Sequence, residues 1–260
     1  MVLDQEGFTE RPSAVQAALS AAIGRVVDEA LSAAGLDHVR DHKRFARNTG
    51  DGLVFGCAPG HLPALTHPFL AELESALARE HVRAGTTPIR LRAAISAGPL
   101  PVDGGPGDGS GTARNEAHRL VDSTVLKHAL AQANPEATHL VAIVSDQVYR
   151  DVVLAGYSGL HHSRFTPVLA AVTGKKFRQS AWVHVPVPSG GLVALPPPNE
   201  DVPPHTAAPE RVPLTARPPH QETVAQQVQQ GVALANGACG DVNLSFAQVT
   251  EPAVAEERHR

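Results

Sequence analysis

The turn Gly50-Asp51-Gly52 constrains the fold most, because it lies between two short segments with strand character. His42–Thr49 and Leu53–Cys57 are both predicted to be strands. An Asp-Gly step between two such segments is a strong signal for a β-hairpin. A hairpin makes an antiparallel pair, which argues against a purely parallel, doubly wound sheet.

The other predicted elements alternate between helices and strands. Apolar residues at helical spacing predict the helices, and continuous or alternating apolar residues predict the strands. The helices are predicted over Pro12–Ala34, Pro63–His81, Thr112–Ala133 and, from Ser145 as N-cap, through Val153. The remaining strands are predicted over Met1–Leu3, Ile89–Ala97, Leu140–Val144, Val168–Val172 and Ala181–Val187. This order predicts a mixed α/β domain of the α+β kind.

The composition changes near residue 187. Eleven of the 22 prolines fall between Pro186 and Pro219, and a packed core does not tolerate so many missing N–H donors. We therefore predict a domain over 1–187, a proline-rich linker over 188–221 and a Gln-rich, largely disordered tail over 222–260. Within the tail, alternation at Val242, Leu244 and Phe246 predicts a short β-prone segment that could add to a sheet edge or stack with copies of itself.

Charge and cysteine content exclude several classes of protein. The formal net charge of -4 gives no basic footprint for nucleic acid. No stretch reaches the roughly 18 apolar residues of a membrane span, and no basic segment followed by an apolar run marks a signal peptide. Cys57 and Cys239 are the only cysteines, as in proteins of a reducing compartment. We expect a cytoplasmic protein with no nucleic-acid or membrane partner.

Two aspartates lie in acidic turns near predicted strands. Asp4 follows the first strand, and Asp51 lies at the tip of the hairpin. If the first two β elements are neighbours in one sheet, both carboxylates project from the same edge. Paired carboxylates can hold two hard divalent cations, Mg²⁺ or Mn²⁺, which suits phosphoryl transfer. The alternative is that Asp4 is a helix-entry residue and Asp51 a turn residue.

The segment Asp108–Leu120 carries a second candidate group. Asn115 and Arg119 are four residues apart and therefore share one face of the predicted helix. An arginine offers a planar fork to phosphate oxygens, and an asparagine can orient a ribose hydroxyl. The alternative is a solvated helix face.

Taken together, these segments resemble the catalytic domain of class III nucleotide cyclases, the adenylate and guanylate cyclases. The resemblance extends from about Leu3 to Val187. Five pieces occur in the order of the family: Asp4–Thr9, Arg47–Gly52, Ile89–Gly98, Asp108–Leu120 and Leu140–Tyr149. The fourth piece keeps the spacing of the family motif, with Gly three, Asn seven and Arg eleven residues after Asp108.

The resemblance implies a ferredoxin-like, polymerase-palm-like mixed sheet with helices on one face, and a homodimer with active sites at the subunit interface. Asp4 and Asp51 of one protomer would bind two Mg²⁺ or Mn²⁺ ions. Asn115 and Arg119 of the partner would position the ribose and stabilise the pentavalent phosphate. The substrate would be a nucleoside triphosphate, and the products a 3′,5′-cyclic nucleotide and pyrophosphate.

The resemblance also implies residues that contact the base and the leaving phosphates. Asp108 matches the acidic base-selecting position, whereas Arg47 stands where adenylate cyclases usually have a lysine. ATP is favoured, and GTP or a pyrimidine nucleotide remains open. Lys175 or Lys176 is expected to bind the leaving phosphates, unless both are solvated turn charges.

A binding or signalling module is the alternative function. Only three residues precede Asp4, and Arg47 departs from the family pattern. In this alternative, a catalytically weak cyclase-like domain senses a nucleotide, and the C-terminal tail mediates assembly.

Overall fold

Seven strands pair into one sheet in the part of the chain that the computed structural model describes, residues 1–85, 88–102 and 107–190. The strands are β1 Val2–Gln5, β2 Arg44–Asn48, β3 Gly52–Gly56, β4 Leu91–Ile95, β5 Leu140–Ser145, β6 Thr166–Ala171 and β7 Arg178–His184. Their order across the sheet is β2-β3-β1-β4-β5-β7-β6. β4 and β5 are parallel, and the other neighbours are antiparallel. The predicted mixed α+β class is confirmed.

The helices connect these strands. They are α1 Ser13–Ala33, α2 Asp37–Asp41, α3 Leu62–Thr66, α4 Phe69–Ala84, α5 Thr112–Val121, α6 Thr124–Gln132 and α7 Asp146–Val148. A π-helical segment, Tyr149–Leu154, continues α7. The Ser145 hydroxyl accepts a hydrogen bond from the Val148 amide, which confirms Ser145 as the N-cap. Short 3₁₀ turns occur at Phe8–Glu10, Pro59–His61 and His162–Arg164.

Two of the predicted helices are each divided into two. The segment predicted from Pro63 breaks at His67, which is extended because it precedes Pro68. The segment predicted over Thr112–Ala133 breaks at Ser123, which is also extended and whose hydroxyl donates to the Leu120 carbonyl at 2.7 Å. The apolar spacing continues across both breaks, so spacing alone predicted one helix in each place.

The first four strands have the order of a ferredoxin-like unit. β1, α1, β2, β3, α4 and β4 follow one another along the chain, and the strands lie in the order β2-β3-β1-β4 with antiparallel neighbours. The predicted hairpin is present as β2–β3, with Asn48 opposite Leu53. This arrangement brings the hairpin turn beside the end of β1.

Helices cover both faces of the sheet, whereas helices on one face had been expected. One face packs against α1 and α4 through residues that include Leu91, Ala93 and Leu140. The other packs against α5 and α6 through residues that include Ala94, Val141 and Ile143. All six residues of β5 are buried. A strand that is apolar on both sides requires a helical layer on each side.

The last described residues pack against the loop between α6 and β5. The Asn134 amide donates to Ser189 Oγ at 3.1 Å, and Thr138 Oγ1 donates to the Val187 carbonyl at 2.7 Å. The predicted linker begins within this contact. Its remainder and the predicted tail over 222–260 lie outside the described residues. In the described ranges, no helix combines the length and the apolar character needed to cross a bilayer.

Candidate active site

The pairing of β1 with β3 brings Asp4 and Asp51 next to each other. Asp4 lies opposite Gly52 in the antiparallel register, and the Gln5 amide donates to the Asp51 carbonyl at 2.8 Å. Burial raises the pKa of Asp4, and the charge of Asp51 adds to the rise. The two aspartates singled out from the sequence therefore share one end of the sheet.

The close approach of these strands requires glycine at position 52. A Cβ atom there would lie 2.0 Å from the Leu3 carbonyl oxygen, far inside van der Waals contact. Gly50 has a φ of 89°, which favours glycine, and its amide donates to Asn48 Oδ1 at 2.7 Å. The Gly-Asp-Gly sequence thus forms the turn and holds Asp51 against β1.

Arg92 binds the carboxylate of Asp4. The two residues lie opposite each other on β4 and β1. Arg92 Nε donates to Asp4 Oδ2 at 3.0 Å, and Nη2 donates to the same oxygen. The side chains of Asp4 and Arg92 are 26% and 13% exposed, and the arginine opposes the rise that burial causes in the pKa of Asp4. Asp4 Oδ1 accepts neither of these bonds.

The carboxylates of Asp4 and Asp51 can supply part of the coordination shell of a small hard cation. Asp51 is half-buried, and no hydrogen bond or ion pair within the described residues engages its carboxylate. Mg²⁺ is commonly held by one or two carboxylates, with water and substrate phosphates completing its shell. Within the described residues, no group of three or more His, Cys, Asp and Glu side chains is placed to hold a metal ion. Two carboxylates plus the phosphates of a substrate are therefore the set this site can offer.

Asn115 and Arg119 lie one turn apart on the exposed face of α5. The opposite face packs against the sheet through the buried residues Ala113, Ala117 and Leu120. The guanidinium carbon of Arg119 lies 5.6 Å from the centroid of the Phe177 ring, a cation–π distance. No hydrogen bond or ion pair among the described residues joins this pair to Asp4 or Asp51, because the helix presents the two groups away from the sheet.

Packing between Gly109 and Phe45 brings the loop of Asp108 to the β2 edge. Phe45 has a positive φ of 53° at an irregularity in the β2–β3 pairing between Arg44 and Arg47. A Cβ atom on Gly109 would lie 2.3 Å from Cγ of Phe45. The loop therefore crosses directly over β2, and Arg47 and Asp108 reach the same edge of the sheet.

Lys175 and Lys176 lie in the exposed turn between β6 and β7. Lys175 Nζ is 3.4 Å from Asp122 Oδ2, and Lys127 also pairs with Asp122. Asp122 directly follows α5, so Lys175 lies near the end of the helix that carries Arg119. The Lys175–Asp122 contact therefore does not distinguish a solvated turn charge from a lysine that binds phosphate beside Arg119.

Two residues near Asp4 were not predicted to belong to the site. Arg92 is one, and a signal for it exists: a charged residue between Leu91 and Ala93 in a buried strand needs an opposite charge. His118 is the other. Burial lowers the pKa of His118, whereas the charge of Asp4 raises it. The proximity of His118 to Asp4 depends on how α5 packs over β1, which helical spacing does not reveal.

Comparison with known proteins gives structural similarities but no family. No protein-family model matches the chain, and no curated protein matches it. The crystal structure of the guanylyl cyclase Cya2 is similar with a TM-score of 0.40 and 16% sequence identity. The similarity covers 73% of this chain and 90% of that one. A similarity of this extent establishes neither a family nor a substrate.

Proposed function

We propose that this chain is a nucleotidyl cyclase that forms a 3′,5′-cyclic nucleotide and pyrophosphate from a nucleoside triphosphate, in a homodimer. One observation carries the proposal. Asp4 and Asp51 are adjacent at the end of β1, whereas Asn115 and Arg119 face outward on α5. One protomer thus presents two complementary halves of a phosphate site on separate surfaces, and a second copy can bring unlike halves together.

The carboxylates form the half that would hold divalent cations. Asp4 would use Oδ1, because Arg92 engages Oδ2, and Asp51 would use its unengaged carboxylate. Mg²⁺ or Mn²⁺ held there would neutralise phosphate charge and favour the deprotonated 3′-oxygen. Arg92 opposes the rise that burial causes in the pKa of the Asp4 carboxylate and fixes its orientation.

The α5 pair forms the half that would align the substrate. Arg119 donates to oxygens of the α-phosphate, where negative charge accumulates as the reaction proceeds. Asn115 orients the ribose so that the 3′-oxygen lies in line with the bond to be broken. The 3′-oxygen bonds to the α-phosphorus, pyrophosphate leaves with the bridging oxygen, and the hydroxyl proton passes to water.

The β2 edge and the β6–β7 turn would contact the two ends of the substrate. Arg47 and Asp108 lie at the edge that would receive the base. ATP is the favoured substrate, and GTP and the pyrimidine nucleotides are alternatives because Arg47 presents a fork of donors rather than one ammonium group. Lys175 and Lys176 would bind the leaving phosphates.

Incubation of the purified chain with each of the four nucleoside triphosphates and Mn²⁺ tests the proposal. Mass spectrometry should detect a cyclic product from at least one nucleotide. Asp51→Asn should lower the rate at least about tenfold, the usual effect of disturbing a metal site. Asp41→Asn is the matched control, because Asp41 is an exposed carboxylate on α2. Absence of a cyclic product from all four nucleotides, with a folded dimer in the sample, would rule out the cyclase.

The pairing of Arg92 with Asp4 favours a second candidate, a module that binds a nucleotide without converting it. An arginine on one metal-site carboxylate weakens the attraction for cations. In this case, calorimetry should detect nucleotide binding while no product forms. Deletion of residues 191–260 should leave binding intact and abolish assembly if the tail mediates it. Unchanged assembly after the deletion would remove that role of the tail.

A further inference from the structure

A cavity of about 720 Å³ lies at the end of the sheet away from Asp4. Its lining includes the start of β1 at Val2, the end of β3 at Phe55 and Gly56, and the end of β4 at Ile95. Asp4, Gly52 and Arg92 occupy the other ends of the same strands. The cavity is therefore separate from Asp4 of the same protomer. It borders the β2 edge that is proposed to receive the base, because Phe45 and Gly109 also line it.

The walls of the cavity are mainly apolar. Buried side chains from three strands and three helical segments form them, among them Val54, Phe55, Leu65, Ile95, Ala117 and Val152. The volume lies within the range of small-molecule sites, which are concave and mostly apolar with a few polar groups that orient the ligand. An apolar molecule of small or moderate size matches these walls.

Arg114 is the one cationic side chain among the described residues that line the cavity. Its only hydrogen bond in the described structure is a long one, from Nη1 to the Gly109 carbonyl at 3.5 Å. Burial lowers the pKa of Arg114, and repulsion from Arg47 adds to the effect, with no carboxylate opposing it. A partly buried guanidinium with this surrounding favours an anionic ligand group.

The acidic and thiol side chains of the lining do not neutralise the charge of Arg114. Asp151, the one acidic lining side chain, is solvent-exposed and forms no ion pair with Arg114 among the described contacts. Burial raises the pKa of the Cys57 thiol, which therefore stays neutral at physiological pH. The amino group of Met1 also lies in the lining, and burial lowers its pKa to about 6. The cavity thus combines apolar walls with one cationic side chain that lacks an acidic partner.

We infer that this cavity binds a small amphiphilic carboxylate, with Arg114 donating hydrogen bonds to the carboxylate and the walls enclosing its hydrocarbon part. The ligand would contact α5 from its buried side, where Ala113, Arg114 and Ala117 line the cavity. Asn115 and Arg119 project from the exposed side of the same helix. An effect of the ligand on turnover rests on the proposed function, but the binding itself does not.

Calorimetric titration of the full chain with octanoate, in the absence of nucleotide, tests the inference. Octanoate should bind saturably with one molecule per protomer, and octylammonium, which has the same chain length, should bind at least about tenfold more weakly. Arg114→Met should weaken octanoate binding by a similar factor, and Arg114→Lys should retain part of it. Arg150→Met is the matched control, because Arg150 is exposed and lies outside the lining.

A second variant tests the cavity without removing the charge. Ala97→Leu adds volume from the lining residue Ala97 and should also weaken octanoate binding. Circular dichroism and thermal unfolding establish that each variant is folded. Equal binding of octanoate and octylammonium, full binding by folded Arg114→Met, or uptake that does not saturate would overturn the inference. None of these outcomes bears on cyclase activity, so the two proposals fail separately.

Discussion

Arg92 is a charged residue within a strand whose neighbours, Leu91 and Ala93, are fully buried. Such a charge is tolerated only with a partner, because an unpaired charge in a low-dielectric interior is costly. Asp4 is that partner, and the relation is mutual. Arg92 opposes the effect that burial has on the Asp4 carboxylate. Each residue therefore makes the position of the other possible.

Replacement of Arg92 by Met should destabilise the protein by about 2 kcal/mol, since a hydrogen bond to a charged group contributes roughly 1.5–3 kcal/mol. The substitution leaves the Asp4 carboxylate in a site that is only 26% exposed, without its counter-charge. Urea denaturation at neutral pH measures the change.

Arg79→Met is the matched control for this experiment. Arg79 pairs with Glu29 at 3.0 Å, but the two side chains are 55% and 48% exposed. Loss of such a surface pair should change the free energy of unfolding by less than about 1 kcal/mol. Equal effects of the two substitutions would show that the Asp4–Arg92 pair contributes no more than a surface contact.

At the scale of elements, the crossing of the Asp108 loop over β2 depends on one glycine. Gly109 has a φ of 68°, and a Cβ atom there would overlap the Phe45 side chain. Gly109→Ala should therefore combine a conformational cost of about 1–2 kcal/mol with an overpacking cost of about 1–3 kcal/mol. It should also weaken nucleotide binding by displacing Asp108 from the β2 edge.

Gly35→Ala separates these two contributions. Gly35 has a φ of 71°, yet apart from its chain neighbours no atom lies within 4 Å of the position its Cβ would take. The control should show the conformational cost alone, and should leave nucleotide binding less affected than Gly109→Ala does. Unfolding curves and calorimetry of both variants measure the two effects. Equal destabilisation would contradict a clash with Phe45.

His184 in β7 should make stability depend on pH. The ring is 4% exposed, its Nδ1 lies 3.0 Å from the Arg164 carbonyl oxygen, and burial lowers the pKa of His184 below its ordinary 6.5. The unfolded chain therefore takes up the proton at a higher pH than the folded protein does. The contribution of neutral His184 to the free energy of unfolding is fully present above about pH 6.5. It decreases as the pH falls from that value through the folded pKa, by at most about 1.4 kcal/mol per pH unit.

His184→Asn should reduce this dependence, because an amide keeps a donor near Nδ1 and does not titrate. Urea denaturation at several pH values between about 5 and 8 measures the slope across the ordinary range of a histidine. Part of the dependence should remain, since burial also lowers the pKa of His118. His128→Asn alters an exposed ring on α6 and serves as the control. An unchanged slope in His184→Asn would contradict the assignment.

At the scale of the whole molecule, the proposed division of the active site between two protomers predicts complementation between inactive variants. Asp51→Asn disables one half and Arg119→Ala disables the other. A mixed dimer contains one site with both defects and one site with none. Equal amounts of the two variants, mixed under exchanging conditions, should regain about a quarter of the wild-type rate for a two-fold symmetric dimer. Analytical ultracentrifugation tests whether the variants form dimers, and no recovery in mixed dimers would contradict shared sites.

Much of this arrangement could be predicted from residue patterns that act locally. The hairpin depends on Gly50-Asp51-Gly52, whose conformational requirements are the same in any protein, so the neighbouring strands were correctly predicted. The approach of Asp4 to Asp51 was predicted on the condition that the first two β elements are neighbours in one sheet, and the pairing of β1 with β3 meets that condition. The helix breaks at His67 and Ser123 were missed, since apolar spacing continues through both.

The remaining features depend on the register between strands and on which face of the sheet each helix covers. The contact of Arg92 with Asp4 requires β1 and β4 to be adjacent and correctly aligned, and neither fact follows from the spacing of apolar residues in one strand. Helices on both faces were also missed, because a helical period shows which side of a helix is buried but not which face of the sheet it covers. The nearly continuous apolar sequence of β5, whose six residues are all buried, was the signal that helices cover both faces.

The two outer strands of the sheet bear on how the sheet avoids edge-to-edge pairing between copies in concentrated solution. β2 ends the sheet on one side with the irregular backbone at Phe45 and with the exposed Arg44 and Arg47. β6 ends it on the other side and carries Pro167, which has no amide hydrogen to offer an incoming strand. Charge, irregular backbone and proline all hinder edge-to-edge pairing. The sheet is therefore poorly suited to grow into fibres, and association of copies is directed to the helices and strand ends.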